Sequence, residues 1–115
     1  MILTNKKRIE DYINKGWWGE ETLYSLFKDA LASCGDQEAL VDPENRSVIT
    51  GDNPKRLSFN EIHVLVESYA TTFYEHGLQK DDIVVIQLPN VVELPIVYLA
   101  LSKLGIICSP IPMQY

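Results

Sequence analysis

One stretch constrains the fold more than any other: two apolar runs, Ile83-Val-Val-Ile-Gln-Leu88 and Ile106-Ile-Cys-Ser-Pro110, separated by a helix-length segment. A short, continuous, β-branched run marks a strand buried on both faces. Pro89 stops the first run, and Asn90 with Glu93 offers a cap and an acidic third residue for the helix that follows. That helix is apolar most of the way round, carries Pro95 in its first turn and ends at Gly105. Strand, helix and strand within 28 residues make a βαβ unit, with parallel strands and a right-handed crossover. The expected class is α/β, with this unit forming part of a larger mixed sheet.

Upstream, residues 7–15 read as a helix with Ile9, Tyr12 and Ile13 on one face and Gly16 at its end. Trp17 and Trp18 read as packing anchors. Thr22 caps a second helix through Leu23, Leu26, Phe27, Ala30, Leu31 and Cys34, and Gly35 closes it. Residues 38–42 and 46–50 read as the two strands of a β-hairpin, turned by Asp42-Pro-Glu-Asn45. A polar loop, Gly51 to Lys55, leads to Ser58 and Glu61, which have the spacing of a capping box. The helix behind them carries Ile62, Leu65, Val66, Tyr69, Ala70 and Phe73 on one face. Gly77 then suits the left-handed stop, and Leu78 the apolar residue that packs back.

Charge narrows the function classes. The net charge of −6 argues against nucleic acid and against anionic membrane surfaces, because both are bound through Lys and Arg. The 16 acidic residues are scattered and read as a solvated surface. The two cysteines, Cys34 and Cys108, read as buried free thiols in a reducing compartment. No signal peptide is expected, because the start turns charged before an apolar core could form. Glu93 and Lys103 cut its greasiest stretch into charge-free pieces of 9 and 12 residues, against the ~18–20 apolar residues that a span needs. A cytoplasmic protein is expected.

Chemistry is sparse. The turn Leu88-Pro89-Asn90 has no glycine with which to approach phosphate. His63 and His76 read as surface or capping residues, and Glu20-Glu21 and Asp81-Asp82 as solvated turns. Thr50-Gly-Asp-Asn-Pro-Lys55 superficially resembles a loop that grips ATP phosphates, but it lacks the surrounding Ser/Thr/Gly run and joins two strands, so it reads as a solvent loop. No catalytic, cofactor-binding or metal-binding residue is assigned.

Three motifs in order carry a family resemblance. Leu57-Ser-Phe-Asn-Glu-Ile62 resembles the first core motif, Leu-[Thr/Ser]-Tyr-x-Glu-Leu, of the adenylate-forming (AMP-binding) superfamily, which includes acyl-CoA synthetases and aryl-acid AMP ligases. Gly77, Asp82, Asn90 and Glu93 follow that family's Gly…Gly-Asp-x-Val…Asn…Glu pattern, with Asp81 replacing the second glycine. Lys103-Leu-Gly-Ile-Ile-Cys-Ser-Pro110 is similar to the second core motif, Lys-Ala-Gly-x-x-x-x-Pro. Pro112 stands where peptide-synthetase domains have Asp, which argues against an amino-acid-activating member. Tyr12 to Trp18 resembles the opening segment of aryl-acid AMP ligases and alicyclic-acid CoA ligases.

The resemblance implies that residues 1–115 are the N-terminal portion of a larger N-terminal domain, with the rest of the polypeptide as partner. It implies ATP, Mg2+, coenzyme A and a carboxylic acid for the full-length enzyme and none of these for the present residues. On that reading the chain is scaffold, inactive alone and open to self-association. The alternative is a non-catalytic interaction module or split subunit that completes a partner chain.

Overall fold

The structure, a computed structural model, describes residues 3–114. The expected βαβ unit is there. Strands β3 (Ile83–Ile86) and β4 (Ile107–Pro110) pair in parallel, Ile83 opposite Ile107 and Ile86 opposite Pro110, and a helix over Glu93–Leu104 connects them. Ahead of them come α1 (Lys6–Asn14), α2 (Leu23–Cys34), β1 (Glu38–Val41), α3 (Arg46–Thr50), β2 (Arg56–Ser58) and α4 (Phe59–Glu75), which makes the connecting helix α5.

The core lies between helices. Phe27 of α2, Ile62, Val66 and Ala70 of α4, and Ile96, Leu99 and Ala100 of α5 form one buried cluster. Leu101 and Val97, on the other side of α5, pack with Ile86 and Ile106 to form a second. α5 is apolar most of the way round because it serves both clusters, as expected of an enclosed helix.

The antiparallel strand pair is present, but its second strand is not the expected one. Residues 46–50 form helix α3 rather than a strand, and β1 pairs antiparallel with β2 instead, Val41 opposite Arg56. Asp42 and Arg46 stand four apart, and the turn at 43–45 that leads into α3 brings their side chains together. A strand would have pointed Arg46 away from that partner. The antiparallel and parallel pairs also remain two separate two-stranded sheets among the described residues.

Capping behaves as expected at two helices. Thr22 Oγ1 accepts from the amide of Ser25, and the Ser25 hydroxyl accepts from that of Thr22. Ser58 and Glu61 make the same reciprocal pair at the start of α4. Ser58→Ala is therefore expected to lower stability by about 0.5–2 kcal/mol. An unchanged urea midpoint would contradict that role. At the far end of α4, Gly77 adopts φ +85 and the Leu78 amide donates to the Phe73 carbonyl, closing a Schellman motif. Gly35 works differently: its φ of −45 is right-handed. A Cβ there would meet the tip of the exposed Asn60 side chain at 2.8 Å, which can swing aside, so the position does not demand a left-handed stop.

Several apolar groups expected inside lie outside. Trp17 and Trp18 stay exposed and pack on Tyr12, with ring centroids 5.3 and 5.1 Å away, instead of anchoring the segment to the core. Cys34 and Cys108 are free but only half-buried. Val84 and Ile86 face α5, whereas Ile83 and Val85 are 46% and 60% exposed, so β3 is not buried on both faces. The reason is that α5 covers one side of the strand pair and no described element covers the other.

The whole chain shares this openness. Its accessible surface is 8034 Å², against about 6,400 Å² for a compact protein of this mass. Its radius of gyration is 16.1 Å, against about 13 Å for a compact domain of this length. The isolated chain is expected to self-associate through the Ile83/Val85 face or a free strand edge. A clean monomer in sedimentation velocity at high micromolar concentration, with no binding of an apolar dye, would refute this.

Candidate functional site

Buried charge marks the most constrained place in the molecule. Asp42 at the end of β1 and Arg46 in α3 are 5% and 2% exposed, the two buried charged residues among those described. The Arg46 guanidinium donates through Nη1 to Asp42 Oδ2 at 2.8 Å. It also forks onto Glu93 in the first turn of α5, Nη1 to Oε2 at 2.7 Å and Nη2 to Oε1 at 2.8 Å. Lys55 Nζ reaches Glu93 Oε1 at 2.7 Å from the open side, and Asp52 lies 3.4 Å from Nη2. Carboxylates on both Nη groups are the arrangement in which Arg tolerates burial, although Arg46 Nε is buried without a hydrogen-bond partner among the described residues.

Asp42 does more than pair with Arg46. Its Oδ1 accepts from the amide of Val92 and its Oδ2 from that of Lys55, both at 2.8 Å. The expected cap of α5 by Asn90 and Glu93 is therefore corrected. Val92 is the cap position and makes no side-chain cap bond. Instead, a carboxylate 50 residues earlier takes up a free amide there, and the Glu93 side chain is occupied with Arg46. The loop Thr50–Lys55 is likewise more than a solvent loop, since both its amide and its ammonium at Lys55 close the cluster. It joins α3 to β2, not two strands.

The electrostatics set what the cluster can do. The Arg46 hydrogen bond holds Glu93 well down, to about 2, with Lys55 adding to the effect against the opposing cost of burial. For Asp42, burial pushes upward most strongly, but the Lys55 and Val92 amides and Arg46 together outweigh it and leave the carboxyl below its ordinary range. Both carboxylates stay ionised and paired at neutral pH. The arrangement holds and positions through charge-assisted hydrogen bonds.

A second charged group ties three helices. Glu67 of α4 accepts from the Tyr24 hydroxyl at 3.0 Å and from Lys103 Nζ, while the Tyr24 amide donates to Ser102 Oγ. The Lys103 hydrogen bond keeps Glu67 below its usual range. Lys103, a position of the second core motif, thus binds α5 to α4 and α2. His63 lies 3.8 Å from Glu67, and His76 Nδ1 lies 2.8 Å from the Thr72 carbonyl at the end of α4. Among the described residues, no group of three or more His, Cys, Asp and Glu side chains gathers as metal ligands would. No described helix is long and apolar enough to cross a membrane.

Two clefts flank the turn between β3 and α5. One, of about 400 Å³, is lined by Tyr69, Thr72, Phe73, Leu88, Glu93 and Val97. The other, of about 270 Å³, is lined by Val41, Asp42, Pro43, Asn90, Val92 and Pro95. Glu93 and Asp42 form part of their respective walls. Sequence reasoning placed Asp42 and Arg46 in a hairpin and so missed their pairing. The available signal was their i, i+4 spacing together with Gly51 just past a short helical turn. Nothing local pointed to Glu93 as a partner of Arg46.

A family model described as AMP-binding enzyme matches residues 27–115. The 2,3-dihydroxybenzoate-AMP ligase of Bacillus subtilis is 35% identical over 96 residues, covering 84% of this chain and 16% of that protein. The acetyl-coenzyme A synthetase of Escherichia coli K12 is 30% identical over 99 residues, covering 83% of this chain and 14% of its own length. The apo structure of Mycobacterium smegmatis MbtA superposes with a TM-score of 0.73 at 21% identity, over 100% of this chain and 20% of that one. The present residues therefore span about one sixth of the curated relatives they match.

Proposed function

Because the chain belongs to the AMP-binding enzyme family, we propose that it is the opening scaffold of an adenylate-forming carboxylic acid ligase. The observation that carries this reading is the family match across residues 27–115. The chemistry proposed for the whole enzyme joins a carboxylate to ATP, releases pyrophosphate and passes the acyl group to coenzyme A. An aromatic, alicyclic or fatty acid is the proposed substrate class, and the cytoplasm the proposed location. The resemblance to an aryl-acid AMP ligase and to an acetyl-coenzyme A synthetase supports acid activation as the shared step.

The cluster of Asp42, Arg46, Lys55 and Glu93 does not fit ATP or Mg2+. Asp42 and Glu93 are saturated by Arg46, Lys55 and two backbone amides, and the Lys55 ammonium is committed to Glu93. No step is assigned to them. Their work is to lock β1, α3 and the loop through Lys55 onto the start of α5. The surface left open supports the rest of the polypeptide as the natural partner. It also supports a second reading, a split subunit completed by another chain.

The test is to read the gene past codon 115 and express the longer product. Carboxylate-dependent ATP–pyrophosphate exchange is expected from that product with at least one acid of an aryl, alicyclic and fatty panel. A reading frame that stops after Tyr115, with activity only on adding a second chain, would replace the scaffold reading by the split-subunit one.

A further inference from the structure

We propose that Arg46 is a positioning residue for the ligand-facing edge of this enzyme, acting through Asp42 and Glu93 on the turn between β3 and α5. The inference rests on the adenylate-forming reading above and extends it to a residue in a segment that carries none of the family's core motifs. In open α/β sheets, ligands sit outside the carboxyl ends of the strands. Here the carboxyl end of β3 runs into Gln87–Val92, and the carboxyl end of β4 runs into Ile111 and Pro112. The Gln87 side-chain amide donates to the Pro112 carbonyl at 2.9 Å, so the two strand ends already form one edge.

What fixes that edge is remote in sequence. The turn has no glycine, no capping side chain of its own at Val92 and a proline at position 89. Its place is set by the Val92 amide on Asp42 and by the Glu93 carboxylate in the Arg46 fork, both from a segment some 50 residues earlier. Arg46 Nη1 touches both carboxylates, so one guanidinium couples the two attachments. Each cleft beside the turn has one of these carboxylates in its wall. Releasing Arg46 breaks the Glu93 fork, leaves Lys55 as the remaining cation on Glu93 and takes away one of Asp42's three partners, which loosens the edge relative to whatever binds there. Displacements of about 1 Å at such an edge cost up to ~100-fold in rate.

The experiment compares wild type, Arg46→Met and Arg46→Lys in the longer product, in ATP–pyrophosphate exchange well below the melting temperature. Rates are normalised to active sites by the burst of adenylate formed. Positioning predicts that KM for the carboxylic acid or ATP rises about 10-fold, or that kcat per active site falls by that factor, in Arg46→Met. Arg46→Lys, which keeps the charge but cannot fork, is expected to recover less than half of the loss. A lower melting temperature with KM and kcat per active site unchanged would reduce Arg46 to a stabilising residue and overturn the proposal. An inactive wild type would instead strike the adenylate-forming reading. The positioning claim then stands or falls on the 115-residue chain, where Arg46→Met is expected to speed hydrogen exchange at the Val92 amide at least 10-fold relative to Val66. Equal exchange at both would overturn it.

Discussion

Asp42→Ala is expected to lower the unfolding free energy of the 115-residue chain by about 3–5 kcal/mol, the range for breaking a buried ion pair. The substitution removes three hydrogen bonds at once: the amides of Val92 and Lys55 and one arm of Arg46. The Val92 amide is buried and would find no replacement acceptor, which alone costs about 1–3 kcal/mol. Against the 5–15 kcal/mol that typically holds a domain together, a loss of this size removes a large share of the folded population. Asp42→Asn should also be costly, because its amide nitrogen is a donor placed among donors. A loss below about 1 kcal/mol for Asp42→Ala, read from urea titration, would mean that the cluster contributes nothing beyond solvent-screened pairing.

The same carboxylates give the chain an acid limit. Glu93 is held at about 2 in the folded chain, below its ordinary 4.5, and Asp42 is held below its ordinary 3.8. A depressed folded value contributes stability that is complete above the unfolded value and fades as pH falls toward the folded one. Stability should therefore be level above about pH 5 and decline between pH 5 and pH 2. In Glu93→Gln that decline should be shallower, and equal slopes in both proteins would remove Glu93 from the account.

The second large effect is an absence of activity. The 115-residue chain by itself is expected to show no ATP–pyrophosphate exchange with aryl, alicyclic or fatty acids and no measurable ATP affinity. Adenylation needs donors aimed at the phosphates and a positive charge free to stabilise the developing negative charge. The loop at Thr50–Lys55 supplies neither. It lies between a single-turn helix and an edge strand, and its ammonium is already bound to Glu93 at 2.7 Å. Lys55→Ala should accordingly leave a null result null while weakening the Glu93 attachment. Exchange by the short chain that disappears in Lys55→Ala would show that the loop is a phosphate grip after all.

Much of the architecture was legible in the residues themselves because the forces involved are local. Ser58 with Glu61, Gly77 with Leu78, and Gly105 lie within a few positions of the backbone groups they satisfy, so spacing alone reveals them. The βαβ unit is legible for the same reason: two β-branched runs and one helical run of suitable length admit few other arrangements. The core motifs also announce the family, whose match across residues 27–115 agrees with them.

Tertiary structure alone decided the rest. Whether residues 46–50 become strand or helix depends on where Arg46 finds carboxylates, and one of those, Glu93, is 47 residues away. Short β-branched segments carry weak intrinsic preference, so a buried guanidinium seeking two partners outweighs the pattern of Val48 and Ile49. The same holds for exposure. Ile83 and Val85 carry the sequence signature of a strand buried on both sides, but burial requires a second layer, and none of the described elements supplies one. Residue pattern sets what a strand requires; only the neighbouring chain determines whether that requirement is met.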